Sequence, residues 1–369
     1  MTLSSPLARR AGPRRFAHPF GLAVLVALAV QGCDSNGNDP SAADPTGNAN
    51  DSMLVVLEAF AELGPQPLPT RTPQQARQQP TIADAVRRRL TETGRSTAPE
   101  AVGSTVDRTI TAPGVPALPV RVYTPAGTAP AGGWPVIVYY HGGGWVIATI
   151  DTYDASARAL TNAARAVVIS VEYRKGPENR FPAAHDDAYA AYVWATQNAA
   201  TIGGNPLKVA VAGESAGGNL AAATALQAKA AGTRQPVHQL LVYPIAGYDF
   251  TTESYEENAN AKPLDRPTMQ WFFSNYLRTS ADGLDPRINL VDRTDLAGAA
   301  PATVITAEID PLRSEGQEYA DDLEDAGVDV EHYYFDGVTH EFFGTGVIVP
   351  EGLTAVQRAG ARLRAAFGN

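Results

Sequence analysis

The strongest constraint on the fold lies in the middle of the chain, in the stretch Val209–Leu220. A short apolar run leads into the pattern Gly-x-Ser-x-Gly, with Ser215 at its centre, and an alanine-rich segment with helical character follows. A strand that turns sharply into a helix pushes its central residue outward, and Gly213 and Gly217 leave space where a Cβ would collide with neighbouring backbone. The pattern predicts that the Ser215 hydroxyl is presented at a sheet edge, above the positive end of a helix. A plain strand-to-helix loop is the alternative.

The rest of the chain alternates strand-like and helix-like segments. Two segments alternate apolar and polar residues as antiparallel strands do, and the later strand-like runs are almost continuously apolar, as buried parallel strands are. This order predicts an α/β fold, with a mostly parallel sheet and helices on both faces. Strands are expected at 106–111, 118–123, 135–140, 166–171, 207–212, 239–243, 302–307 and 328–334, and helices at 183–198, 218–232, 315–326 and 354–366.

Two further segments interrupt or precede this alternation. About forty residues, Gly247–Leu290, separate two predicted strands and include the aromatic run Met269–Leu277. They are too long and too aromatic for a plain connector, which predicts a helical insertion over the site. Residues 52–90 also have helical patterns, at 53–60 and 81–90. They form either part of a lid or a segment that covers one side of the sheet.

The N-terminus has the features of an export signal. Four arginines precede an apolar core at 20–30, which is about half the length of a membrane-spanning helix. Cys33, the only cysteine in the chain, follows directly and resembles the lipidation cysteine of bacterial lipoproteins. We therefore expect a signal peptide at 1–32, a disordered tether at 33–51 and one domain at 52–369, in an exported, lipid-anchored protein. A soluble secreted protein is the alternative.

The charge balance excludes one class of partner. The chain carries 29 Lys and Arg against 39 Asp and Glu, for a net charge of −10. So acidic a surface repels phosphate backbones, and we expect no nucleic-acid partner. No cluster of metal ligands is evident in the sequence, and neither a metal nor a cofactor is expected.

A serine nucleophile needs a base, and the base needs a third group that fixes its tautomer. Of the six histidines, His340 lies on a loop after the last predicted strand, at the carboxyl edge where ligands bind to parallel sheets. Asp310 ends the preceding strand, and Glu315 is a poorer candidate because it lies in the next helix. The order Ser215, Asp310, His340 is that of a serine hydrolase triad on an α/β sheet. A helix N-cap for Asp310 and a surface location for His340 are the alternatives.

Acyl transfer also needs hydrogen-bond donors for the developing oxyanion. The sequence His141-Gly142-Gly143-Gly144 directly follows the predicted strand 135–140. Three consecutive glycines let backbone N–H groups approach a ligand with no side chain in the way. Together with the N–H of Ala216 they predict an oxyanion hole, and His141 is then structural.

Several motifs together resemble the bacterial hormone-sensitive-lipase-like carboxylesterases. They are His141–Trp145, Tyr173-Arg174 with Pro177-Glu178, Phe181–Ala184, Gly213–Leu220, Asp310–Arg313 and Gly337–Phe343. The resemblance covers the chain from about Leu54 to the C-terminus. It implies an α/β-hydrolase fold with a helical cap from about 52–100 and 247–290, a triad of Ser215, Asp310 and His340, and oxyanion donors from Gly143, Gly144 and Ala216. Lys175-Gly176 and Ser314 depart from the family pattern.

The resemblance and the motifs predict a serine carboxylesterase acting on small-molecule esters. The aromatic insertion, with no long apolar lid, favours short and medium acyl chains. A lipase or a peptidase on the same fold is the nearest alternative. A binding protein that keeps the scaffold without the chemistry is a further one.

Overall fold

One eight-stranded sheet organises the computed structural model, which describes residues 44–291 and 293–368. Its strands are β1 (Ser104–Ile110), β2 (Leu118–Thr124), β3 (Trp134–Tyr140), β4 (Val167–Val171), β5 (Gly204–Glu214), β6 (Gln239–Val242), β7 (Ala302–Ile309) and β8 (Val330–Thr339). They are ordered β1-β2-β4-β3-β5-β6-β7-β8. β2 is antiparallel to both of its neighbours, and every other pair is parallel. The predicted α/β class with a mostly parallel sheet is confirmed.

Helices cover both faces of the sheet. The α-helices of the described residues are α1 (Asp51–Glu62), α2 (Pro73–Ala76), α3 (Ile82–Glu92), α4 (Asp154–Ala164), α5 (Ala183–Asn198), α6 (Ala216–Ala230), α7 (Glu253–Glu257), α8 (Arg266–Tyr276), α9 (Arg313–Asp325) and α10 (Pro350–Ala366). Short 3₁₀ helices lie at Pro45–Asn48, Leu68–Thr70, Ala199–Ile202, Ser280–Leu284 and Phe342–Thr345. Val136 and Val138 of β3 pack with α5, α6 and α9, whereas Ile137 and Tyr139 pack with α1, α3, α4 and α10.

The burial of each strand follows its place in the sheet. All seven residues of β3, in the middle, are buried, because helices cover both of its faces. In the edge strand β1 only Ile110 is buried. The carboxyl ends of β3, β5, β6, β7 and β8 therefore meet at one edge of a fully covered sheet.

Every predicted strand overlaps an observed one, but helix α4 is absent from the prediction. Its buried face consists mainly of alanine, serine and threonine, with Leu160 as the one large apolar residue. These small residues let the helix pack closely on the sheet.

The predicted tether at 33–51 is wrong for its described part, 44–51. Pro45–Asn48 form a 3₁₀ helix, and Asn50 caps α1 by accepting a hydrogen bond from the Met53 N–H at 3.0 Å. The Asn50 N–H donates to the Gly337 carbonyl at 2.8 Å. Polar side chains in this segment cap helices, and the polar composition alone does not indicate that role. Residues 1–43, including the predicted signal peptide and Cys33, lie outside the described residues.

The two cap segments are helical, as predicted. The insertion 247–290 contains α7 and α8. In the N-terminal segment, α1 and α3 belong to the core cluster on the Tyr139 face, whereas Leu68–Thr70 contacts α8. The segment thus covers one side of the sheet and also reaches the insertion. Across both described ranges, no helix is long and apolar enough to span a membrane.

Candidate active site

Ser215 occupies a strained turn between β5 and α6. Its backbone has φ 57° and ψ −120°, an unusual conformation for a residue with a side chain. The Ser215 N–H donates to the Val242 carbonyl of β6 at 2.9 Å, which anchors the turn to the neighbouring strand. A Cβ added at Gly213 would lie well under 3.0 Å from the Gly217 carbonyl, and one added at Gly217 equally close to the Tyr140 carbonyl. The geometry is that of a nucleophile elbow, as the spacing predicts.

His340 and Asp310 form a buried pair. His340 Nδ1 lies 2.7 Å from Asp310 Oδ2, and the two residues are 3% and 0% exposed. The other carboxylate oxygen of Asp310 accepts a hydrogen bond from the Leu312 N–H at 2.9 Å. With one oxygen fixed by the backbone, the second is directed at the imidazole and holds its proton on Nδ1. This arrangement leaves Nε2 free to act as a base.

The pKa of His340 is raised above its ordinary value. Burial alone would lower it, but the charge of Asp310 and the hydrogen bond to it outweigh burial, with smaller contributions from Glu341 and Glu214. The imidazolium that forms when a base accepts a proton is therefore stabilised in this position.

Ser215 and His340 approach the same part of the sheet edge. Ser215 follows β5, Asp310 follows β7 and His340 follows β8, and β6 lies between β5 and β7. The Tyr243 ring, which follows β6, lies 4.5 Å from the His340 ring between centroids. The Ser215 carbonyl accepts a hydrogen bond from the Ile245 N–H at 3.2 Å. The three triad candidates thus converge at one edge.

The glycine loop after β3 lies beside the elbow. A Cβ added at Gly217, in the first turn of α6, would lie 2.6 Å from the His141 carbonyl, so the helix start packs directly on this loop. Gly143 and Gly144 have φ of 94° and 57°. Within 44–291 and 293–368, the N–H groups of Gly142, Gly143, Gly144 and Ala216 donate to no protein acceptor. Unused donors next to the elbow suit a developing oxyanion.

Gly142 and His141 have structural surroundings. The Gly142 carbonyl accepts a hydrogen bond from the Tyr173 hydroxyl at 3.1 Å. The His141 ring stacks on that of Tyr173 at 4.3 Å, and His141 Nδ1 lies 2.8 Å from the Gly142 carbonyl. Burial lowers the pKa of His141 to about 4, so this side chain is neutral at ordinary pH. It braces the loop, as expected from the sequence.

Cap helix α8 lies directly on the glycine loop. A Cβ added at Gly144 would overlap the Phe272 ring, at well under 3.0 Å. Trp145 is fully buried, and its ring stacks on that of Tyr276 at 4.8 Å. The aromatic run of the insertion predicts contact with the site, but nothing in the sequence singles out Phe272.

Asn219 and His185 connect the elbow helix to the cap. His185 Nε2 lies 2.9 Å from Asn219 Oδ1, and His185 Nδ1 lies 2.8 Å from the Tyr276 hydroxyl. The Asn219 amide also donates to the Ile288 carbonyl at 3.0 Å. Asn219 therefore braces the elbow, and His185 is a bridging residue that its position at a helix start does not predict.

The departures from the family pattern have local explanations. A Cβ added at Gly176 would lie 2.7 Å from the Asn275 carbonyl of α8, so glycine permits this close approach. Lys175 pairs with Glu172. The Ser314 hydroxyl accepts a hydrogen bond from the Ser254 N–H at 3.1 Å, which ties α9 to α7. None of these three contacts involves a side chain of the triad.

The sequence does not predict the hydrogen-bond partners of the buried polar residues next to the triad. Glu214 accepts hydrogen bonds from the hydroxyls of Tyr139 and Tyr243, both at 2.5 Å. Glu341, next to His340, accepts one from the Tyr153 hydroxyl at 2.5 Å. The only available signal is the position of the two glutamates beside the nucleophile and the base.

Comparison with known proteins agrees with this geometry. A family model described as the alpha/beta hydrolase fold matches residues 137–344, from β3 to the loop after His340. The chain belongs to this family. The resemblance to the bacterial hormone-sensitive-lipase-like carboxylesterases is confirmed.

Proteins whose names state an esterase activity align with most of the domain. The chain is 41% identical to carboxylesterase NlhH of Mycobacterium tuberculosis over 264 residues, which are 71% of this chain and 82% of that protein. It is 35% identical to an ethyl acetate hydrolase of Pseudomonas putida over 73% of this chain and 86% of that protein.

Solved structures of esterases superpose on the same domain. A thermostable esterase from Pseudomonas putida has a TM-score of 0.79 at 32% identity, covering 86% of this chain and 98% of the other. The hyperthermophilic esterase of Pyrobaculum calidifontis has a TM-score of 0.75 at 35% identity, covering 85% and 96%. The fold and the elements that carry the site are thus shared with enzymes that hydrolyse esters.

Proposed function

We propose that the protein is a serine carboxylesterase that hydrolyses short- to medium-chain esters through an acyl-enzyme. The observation that carries the proposal is the buried His340–Asp310 pair, 2.7 Å apart, at the sheet edge where Ser215 occupies its strained turn. The relatives named as a carboxylesterase and an ethyl acetate hydrolase support ester hydrolysis by this chain.

The geometry supports the following acylation step as part of the proposal. His340 Nε2 removes the proton from the Ser215 hydroxyl as its oxygen attacks the ester carbonyl. Asp310 keeps the other imidazole proton on Nδ1 and stabilises the cation that forms. The N–H groups of Gly143, Gly144 and Ala216 stabilise the negative charge on the carbonyl oxygen. His340 then returns its proton to the leaving alkoxide, and the acyl group remains on Ser215.

Deacylation uses the same groups, with a water molecule in place of the serine hydroxyl as the nucleophile. His340 removes a proton from a water molecule, which attacks the acyl-enzyme carbonyl. The same oxyanion donors stabilise the second tetrahedral intermediate, and His340 protonates Ser215 as the carboxylic acid leaves.

Phe272 supports the assignment of short to medium acyl chains. Its ring covers Gly144, so an aromatic side chain from the cap closes the space above the oxyanion donors. Long acyl chains would need this helix to move.

Hydrolysis of p-nitrophenyl butyrate by matched variants tests the proposal. Ser215→Ala and His340→Asn are expected to lose activity by at least about 10³-fold. His332→Asn is the control: His332 lies on the same strand β8, and its Nε2 lies 2.8 Å from the Thr306 hydroxyl, away from Ser215. Full activity in Ser215→Ala, or equal losses in His332→Asn and His340→Asn, would contradict the proposal.

We propose as well that the protein is exported and anchored by lipid at Cys33. Four arginines, an apolar core at 20–30 and the single cysteine directly after it support this assignment. Expression of the full chain in a bacterium, followed by detergent phase partition, tests it. Wild type is expected in the detergent phase and Cys33→Ala in the aqueous phase; identical partition of the two would contradict lipidation.

A further inference from the structure

A cluster of two carboxyl groups and three tyrosines lies behind the triad and has no part in the mechanism above. Its members are Glu214, Glu341, Tyr139, Tyr153 and Tyr243, which we call the Glu–Tyr cluster. Two hydrogen bonds of 2.5 Å join the Tyr139 and Tyr243 hydroxyls to Glu214, and a third of 2.5 Å joins the Tyr153 hydroxyl to Glu341. Side chains of Glu214 and Glu341 also line one cavity of about 30 Å³ beneath α3.

Members of the Glu–Tyr cluster lie next to the nucleophile, the base and the oxyanion loop. Glu214 immediately precedes the nucleophile, and Glu341 immediately follows the base. Tyr153 lies beneath the oxyanion loop, since a Cβ added at Gly142 would overlap its hydroxyl at well under 3.0 Å. Glu341 itself has φ 72°, so the chain turns sharply after His340 at the residue whose side chain Tyr153 holds. A displacement of Glu341 would therefore move the base relative to the oxyanion donors.

The charges around the base are asymmetric. The titratable groups that face the imidazole and the Glu–Tyr cluster from neighbouring elements are Tyr139 of β3, Tyr153 before α4, Glu214 of β5, Tyr243 after β6, Asp310 after β7 and Glu341 after β8. The charges that raise the pKa of His340 are the carboxylates of Asp310, Glu341 and Glu214, with Asp310 the strongest. Burial raises the pKa of Glu214 to about 7, and burial also raises that of Glu341.

We propose that Glu341 is a positioning residue of the reaction. Through the hydrogen bond from the Tyr153 hydroxyl it fixes the loop that carries His340, and its carboxylate is a second negative charge near the imidazole, after Asp310. The proposal rests on the proposed function, because it concerns the base of that reaction. Loss of this charge weakens the base and shifts the protonation of His340 to lower pH.

The test is the pH profile of kcat/KM for p-nitrophenyl butyrate, measured on the full-length enzyme. Glu341→Gln keeps an oxygen that accepts from the Tyr153 hydroxyl but removes the charge. We expect its acid limb to move down by roughly half to one pH unit, because a nearby charge shifts a pKa by about one to three units and the charge of Glu341 acts on His340 less strongly than that of Asp310. We also expect kcat to fall about threefold to tenfold with little change in KM.

Glu315→Gln is the matched control. Glu315 is also a buried carboxyl near the sheet edge, but it accepts a hydrogen bond from the Ala246 N–H at 2.9 Å and is not among the groups that shift His340. Its acid limb should coincide with that of wild type. The proposal would be overturned if the acid limb of the kcat/KM profile lay at the same pH in Glu341→Gln as in wild type, or if it moved equally far in Glu315→Gln.

A second variant covers the case in which Glu341→Gln does not fold. Tyr153→Phe removes the hydroxyl that stabilises the Glu341 carboxylate, so the carboxyl ionises less readily and the acid limb should again move down. An unmoved limb in Tyr153→Phe would overturn the proposal in that case. This outcome can be distinguished from failure of the proposed function, because the proposed function fails only if Ser215→Ala remains active.

Discussion

Replacement of Asp310 by asparagine is expected to place the proton on the wrong nitrogen of His340. One oxygen of Asp310 accepts from the Leu312 N–H at 2.9 Å, and the other lies 2.7 Å from His340 Nδ1. In Asp310→Asn the amide oxygen has to stay on the Leu312 N–H, because the NH₂ group cannot accept a hydrogen bond. The NH₂ group is then directed at Nδ1 and donates to it. The imidazole proton moves to Nε2, and the base is lost.

The magnitude follows from the loss of the base and of the charge that stabilises it. A triad with the wrong tautomer loses about 10⁴-fold in kcat, which corresponds to about 5.4 kcal/mol of transition-state stabilisation. The folded structure should survive, since the substitution preserves shape and the Leu312 contact.

Initial rates with p-nitrophenyl butyrate at pH 8, together with a thermal melt, test this expectation. Asp329→Asn is the control: Asp329 is an exposed carboxylate 3.2 Å from Arg362, and its loss should leave the rate unchanged. If Asp310→Asn folds and retains more than about a tenth of wild-type kcat, then Asp310 does not set the tautomer and the reasoning is refuted.

Four other expectations follow from the site and the core. Because the pKa of His340 is raised, kcat/KM should fall as pH drops through a value above about 6.5, and a pH profile whose acid limb lies lower would contradict this. Phe272→Ala should raise the ratio of p-nitrophenyl decanoate to butyrate hydrolysis; an unchanged ratio would show that the ring does not limit chain length. Gly144→Ala should reduce kcat by roughly 10²-fold or more by displacing one oxyanion donor, whereas wild-type kcat would exclude Gly144 from the hole. Leu220→Ala, at a fully buried position of α6, should lower the free energy of unfolding by about 2–5 kcal/mol in urea melts, and a loss under about 1 kcal/mol would contradict its core position.

The sequence predicts the fold and the convergence of the triad because both depend on local patterns. Ser215 lies in a turn that requires glycines at fixed spacing, and Asp310 and His340 follow apolar strands of a parallel sheet. Their side chains therefore meet at one edge whatever the details of packing.

What the sequence did not predict depends on packing between distant segments. Phe272 contacts Gly144, and the Tyr153 hydroxyl donates a hydrogen bond to Glu341. In both cases the two residues are far apart in the chain. Helix α4 is absent from the prediction, and residues 44–51 depart from the expected disorder because Asp44 and Asn50 cap helices. The sequence shows whether a side chain is polar or apolar, but it does not show which distant residue that side chain contacts.

Mass spectrometry of the enzyme treated with a p-nitrophenyl phosphonate tests the central claim most directly. If Ser215 is the nucleophile that His340 and Asp310 activate, then the enzyme should gain one phosphonyl group per chain, located on the peptide that contains Ser215. The label should be absent from Ser215→Ala and slowed by orders of magnitude in Asp310→Asn. Labelling of another residue, or equal labelling of Ser215→Ala, would contradict the account.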